Sequence, residues 1–123
     1  MVKKRILIAE DEKPVARALD LKLNKSGFDT KVVNDGEEAM AELTNNKYDL
    51  LLLDIMMPKK DGFSVLEDIK NQKIDIKVIV SSNLSQPEDS DKAKSLGAIG
   101  YFVKSDTPIN EVIKQIKKVL NIK

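Results

Sequence analysis

Four consecutive leucines, Leu50 to Leu53, run without a polar break into Asp54. A strand that is apolar on both faces has to be covered on both faces, which is the situation of a central strand in a parallel sheet packed between helices. Ile6-Leu7-Ile8-Ala9 and Val78-Ile79-Val80 are uninterrupted in the same way, and Thr30-Lys31-Val32-Val33 and Tyr101-Phe102-Val103 are two further strand-like runs. Each run leads through a turn to apolar residues at helical spacing. The first stripe is Val15, Ala18, Leu19 and Leu23, the second Ala39, Met40 and Leu43, the third Phe63, Val65, Leu66 and Ile69. A fourth, around Glu88 to Leu96, is weaker, and the fifth, Ile109 to Leu120, sets an apolar side against Lys114, Lys117 and Lys118. Pro14 suits the first turn of helix one, Ser26-Gly27 its stop, Asn34-Asp35-Gly36 the turn into helix two, and Pro108 the first turn of helix five. Five strands alternating with five helices predict one α/β domain over 1–123, with a parallel sheet, right-handed crossovers and helices on both faces.

Composition narrows the chemistry. The chain has 123 residues, within the range of one hydrophobic core, and its 21 Lys plus Arg balance 20 Asp plus Glu. A net charge of +1 gives no general attraction to nucleic acid, so none is expected as a direct partner. There is no cysteine, hence no disulfide and no thiolate metal site, which fits a cytoplasmic location. There is no histidine either, which removes imidazole bases and His-ligated zinc and leaves carboxylates, hydroxyls and lysines to do any chemistry. The apolar run behind the basic start Met1-Val2-Lys3-Lys4-Arg5 is too short for a signal peptide, and no stretch is long enough to span a membrane.

Polar residues interrupt the pattern where an open parallel sheet binds ligands, outside the carboxyl ends of its strands. Glu10 and Asp11 follow the first strand, Asp54 the third, Ser81 and Ser82 end the fourth, and Lys104 follows the fifth. Singly, an acid there caps a helix, a serine opens a turn and a lysine is solvated. Together on four strand ends they form a set with a purpose. Three clustered carboxylates repel one another unless a hard cation joins them, and Mg2+ takes such oxygen ligands. A carboxylate beside a metal is also a nucleophile toward a phosphoryl group, and Asp54, closing the most apolar strand, is the best candidate. A lysine about 4 Å from that group contributes roughly 4 kcal/mol at an effective dielectric of 20, and a charge-assisted serine hydrogen bond about 1.5–3 kcal/mol.

With Glu10-Asp11, the run Asp54-Ile55-Met56-Met57-Pro58 with Asp61-Gly62, then Ser82, and Gly97-Ala98 leading to Tyr101 and Lys104, the chain closely resembles the receiver domain of bacterial two-component response regulators from Lys4 to about Leu120. The resemblance implies the flavodoxin-like, doubly wound strand order 2-1-3-4-5 in a three-layer sandwich. It also implies that Asp54 is phosphorylated by a sensor histidine kinase, a phosphotransfer protein or a small phosphodonor. Mg2+ is then held by Glu10, Asp11, Asp54 and the Met56 backbone carbonyl. Ser82, rather than Ser81, and Lys104 bind the phosphoryl oxygens, and Tyr101 is the aromatic switch that turns inward with Ser82. The implied product is a phosphoprotein that changes its strand-four, strand-five and helix-five surface for a downstream protein, as a monomer or weak dimer and without an output domain in these residues. Met56 and Leu84, both apolar, fall beside the attacking water, which implies slow self-dephosphorylation.

Three positions depart from the family pattern. Glu10 replaces the commoner Asp, Asn83 a small residue, and Ser105 a proline often joined to the lysine by a cis bond. A cis bond without proline costs about 3–4 kcal/mol, so Lys104-Ser105 is expected to be trans and the following loop to differ. Two other readings stand beside the switch. One is a phosphatase or phosphotransferase with an aspartate nucleophile, against which Met56 stands where such enzymes carry a second aspartate. The other is an interaction module that has lost phosphorylation, to which Asn83 and Ser105 lend weight.

Overall fold

The computed structural model describes residues 3–122. Five parallel strands, β1 (Arg5–Ala9), β2 (Asp29–Val33), β3 (Leu50–Leu53), β4 (Lys77–Ser82) and β5 (Gly100–Val103), form one sheet in the order β2-β1-β3-β4-β5. They alternate with helices α1 (Lys13–Lys25), α2 (Gly36–Asn45), α3 (Gly62–Asn71), α4 (Pro87–Ser95) and α5 (Ile109–Val119). The expected strand order and alternation are what the structure has.

The all-leucine strand is explained by two cores on opposite faces of the sheet. Leu51 and Leu53 join Leu7, Ala9, Val78 and Val80 beneath α2, α3 and α4. Leu50 and Leu52 join Ile6, Ile8 and Ile79 beneath α1 and α5. Side chains alternate along a strand, so a strand buried on both sides has no polar position to offer. All four leucines are 2% exposed or less, and each such burial is worth about 1.5–3 kcal/mol.

Helix starts follow their caps. Asp35 caps α2 by accepting from the Glu38 amide, and Asp61 caps α3 by accepting from the Ser64 amide. Pro14 lies in the first turn of α1, as its fixed φ favours. Pro108 sits one place earlier than expected: it is the extended N-cap residue of α5, at φ −61° and ψ 150°. Its φ would suit a helix but its ψ is extended, so α5 begins at Ile109. The weak fourth pattern runs one residue earlier than read, and only Ala93 of α4 is buried.

Register brings the polar strand ends together. Ala9 pairs with Leu53, Leu53 with Val80, and Ser82 with Val103. The residues next in line, Glu10, Asp54 and Lys104, therefore leave the sheet along one edge.

Candidate functional site

Backbone bonds fix the floor of this edge. The Glu10 amide donates to Val33 O at 3.0 Å and the Asp54 amide to Ala9 O at 3.0 Å, so both residues continue the ladder beyond the strands proper. The loop after Asp54 is pinned from two sides. The Gly62 amide donates to Ile55 O at 2.8 Å, and Lys59, in the left-handed region at φ 67°, reaches Asp35 at 3.6 Å. Neither glycine beside this loop has room for a side chain. A Cβ on Gly62 would lie 2.5 Å from the Asp54 carbonyl oxygen, and one on Gly36 would lie 2.0 Å from that of Lys60.

Glu10, Asp11 and Asp54 each present a carboxylate oxygen, and the three oxygens lie within 4.8 Å of one another. Glu10 is 2% and Asp54 4% exposed, whereas Asp11 is half-buried. The Glu12 amide donates to Glu10 Oε2 at 3.1 Å, and the Met56 amide to Asp54 Oδ1 at 3.3 Å. The Lys104 ammonium is paired with Glu10 Oε1 and lies 3.2 Å from Asp54 Oδ2. The ammonium nitrogen is itself buried, and both carboxylates form ion pairs with it.

One ammonium facing two buried carboxylates explains shifts that seem to conflict. Asp54 is pushed up to about 7, by burial first and then by the Glu10 carboxylate, against the pull of Lys104. Lys104 is raised as well: burial works to lower it, but its contacts with Glu10 and Asp54 outweigh that. A raised lysine is a well-compensated cation and a raised aspartate an under-compensated anion. Both hold because a single positive charge cannot neutralise two anions in a low-dielectric site, and Asp54 carries the deficit. Three hard oxygen donors with a net negative charge suit a small divalent cation.

The two serines of β4 divide. Both lie within the strand rather than just beyond it, and Ser82 is fully buried while Ser81 is 8% exposed. The Leu84 amide donates to Ser82 Oγ at 3.2 Å, and the half-buried Tyr101 donates its hydroxyl proton to Leu84 O at 2.7 Å. Burial raises the Tyr101 hydroxyl above its ordinary value. Leu84 thus ties Ser82 to Tyr101 through its two backbone groups, a role that no side-chain pattern announces. Met56, by contrast, exposes 60% of its surface. The Lys104-Ser105 bond is trans, and Lys104 opens a 3-10 turn that ends at Asp106. Sequence reasoning named the charged set but missed the Lys104–Glu10 pair, which depends on register across four neighbouring strands, β1, β3, β4 and β5.

A family model described as a response regulator receiver domain matches residues 6–117. The alkaline phosphatase synthesis transcriptional regulatory protein PhoP of Bacillus subtilis is 33% identical over 117 residues, covering 95% of this chain and 48% of that protein. The receiver domain of Francisella response regulator 1452 is 33% identical at a TM-score of 0.90, with 94% of this chain and 95% of that one covered. Response regulator protein TrrA of Thermotoga maritima, solved in complex with Mg(2+)-BeF, is 34% identical at a TM-score of 0.83, covering 94% of this chain and 97% of that one. The chain spans no more than about half the length of the curated relatives it matches.

Proposed function

Because this chain belongs to the response-regulator receiver domains of phosphorelay signalling, we propose that Asp54 is its phospho-acceptor and that 1–123 act as one switch domain. The observation that carries this is the placing of a buried carboxylate between two further acids and one ammonium. Glu10, Asp11, Asp54 and the Met56 carbonyl are the residues to hold Mg2+. A divalent cation there returns Asp54 to its charged, nucleophilic form and offsets the charge of the incoming phosphoryl oxygens.

In the transfer step an Asp54 carboxylate oxygen bonds to phosphorus as the donor's bond to phosphorus breaks, and the donor keeps that electron pair. The donor is a phosphohistidine of a sensor kinase or phosphotransfer protein, or a small acyl phosphate. Lys104 moves from Glu10 toward the new phosphoryl oxygens, and Ser82 donates its hydroxyl proton to another of them. Ser82 already accepts from the Leu84 amide, so a shift of Ser82 pulls on Leu84 and thereby on the Tyr101 hydroxyl. The β4, β5 and α5 surface then changes population for a downstream protein. No second acid stands at Met56 to drive turnover of a substrate, so the domain works as a switch rather than as a phosphatase. We place it in the cytoplasm as a monomer or weak dimer without direct contact to nucleic acid. Among the described residues, no helix is long and apolar enough to cross a membrane.

The test is Mg2+ with beryllofluoride, read at backbone amides by NMR. Wild type shifts at the β4, β5 and α5 surface and Asp54→Asn does not; equal shifts in both overturn the assignment. A second expectation concerns the metal alone. Lys104→Met removes the ammonium that competes for Glu10 and Asp54, so Mg2+ affinity rises by about tenfold, the equivalent of roughly 1.4 kcal/mol. Titration calorimetry checks this, and an unchanged or weaker affinity refutes the competition.

A further inference from the structure

We propose that Met56 is a peroxide-reactive site and that its oxidation shortens the lifetime of the phosphorylated form, an inference that rests on the phospho-acceptor reading of Asp54. Met56 is 60% exposed, whereas Met40 and Met57 are each 8% exposed; Met1 lies outside the described residues. Reactivity of a thioether toward oxidants follows its accessibility, so the same chain carries two buried controls. Among the described residues, the large apolar side chains that face solvent are Leu21, Met56 and Ile99, and of these Met56 alone is joined to the acidic cluster, through its amide on Asp54 Oδ1 at 3.3 Å.

The chemistry is balanced. Hydrogen peroxide transfers one oxygen to the Met56 sulfur: an S–O bond forms, the O–O bond breaks and water leaves, with sulfur oxidised by two electrons and peroxide reduced by two. A thioether is a weak hydrogen-bond acceptor and offers water little. A sulfoxide oxygen is a strong one, in a side chain rooted two residues from Asp54. Loss of the phosphoryl group requires water to attack phosphorus, releasing inorganic phosphate and restoring the Asp54 carboxylate. On this proposal an acceptor carried by the Met56 side chain orders that water. The switch then takes a second input, since peroxide shortens the signal.

The experiment treats the intact protein with hydrogen peroxide and follows each methionine by peptide mass spectrometry. Treated and untreated samples are then loaded with acetyl phosphate and Mg2+, and adduct decay is timed by intact mass. Met56 is expected to oxidise roughly tenfold faster than Met40 and Met57. The oxidised protein is expected to lose its adduct about fivefold faster, the rate equivalent of one ordinary hydrogen bond. Met56→Leu should abolish the effect of peroxide, and Met56→Gln should shorten the lifetime without it. Equal oxidation of all three methionines, or equal decay before and after oxidation, overturns the inference while leaving Asp54 as acceptor. Absence of an adduct in the untreated protein overturns both.

Discussion

In chelator at pH 8, Asp54→Asn is expected to be more stable than wild type by about 4 kcal/mol, and the gap closes as the pH falls toward 4. The sign follows from Asp54, whose carboxyl is raised from 3.8 to about 7 in the folded protein. Between these values the folded state holds a proton that the unfolded chain has released. Stability therefore decreases as pH rises through this window, and the loss is complete above about 7. The raised Lys104 works in a separate window: its contribution is complete below 10.5 and is lost only above that. Asparagine keeps the shape of Asp54 and removes the charge. Urea unfolding of both proteins from pH 4 to 8 measures the difference. Saturating Mg2+ stabilises wild type by mass action and narrows the gap at pH 8. A gap independent of pH would show that the carboxylate is not the source.

The second large effect concerns Gly36. Alanine in place of glycine in a helix ordinarily gains roughly 0.5–1 kcal/mol. Here the added carbon meets Lys60 O at 2.0 Å and Lys60 C at 2.7 Å. Those are backbone atoms of the loop that follows Asp54, and they cannot yield as a side-chain tip can. Gly36→Ala is expected to cost about 2–3 kcal/mol. Gly62→Ala has the same fault against the Asp54 carbonyl at 2.5 Å, and it should also weaken beryllofluoride binding, because the acceptor itself is displaced. Gly100→Ala is the control. Its Cβ meets only Ile79, at 3.6 Å, and a change under about 1 kcal/mol is expected. Denaturation midpoints of the three variants decide the matter.

The features that could be read from the sequence share a physical cause. Leu50 to Leu53 announced a doubly covered strand because a two-sided core leaves no choice at any of its positions. Glu10, Asp11, Asp54 and Lys104 are legible because the carboxyl ends of parallel strands share one edge, so charges that close several apolar runs must meet there. What stayed hidden depends on contacts between elements. The pairing of Lys104 with Glu10 needs the register of β5, β4, β3 and β1. The closeness of Gly36 to Lys60 needs the crossing of α2 over the loop, since a glycine beside Asp35 reads equally well as ordinary turn chemistry. Leu84 was named only for its apolar side chain, whereas its backbone carries the link between Ser82 and Tyr101. The family pattern supplied the strand order, which hydrophobic periodicity does not encode.

The weak burial of α4 has an evolutionary meaning. Ala93 is its only buried residue, so folding places almost no constraint on the other positions of the helix. Surface substitutions of this kind ordinarily change stability by less than about 0.5 kcal/mol. Sequence change on this face is therefore expected to cost little stability while both cores and the acidic edge stay as they are. Diversity among such regulators is expected to accumulate there first, because the fold scarcely registers the change.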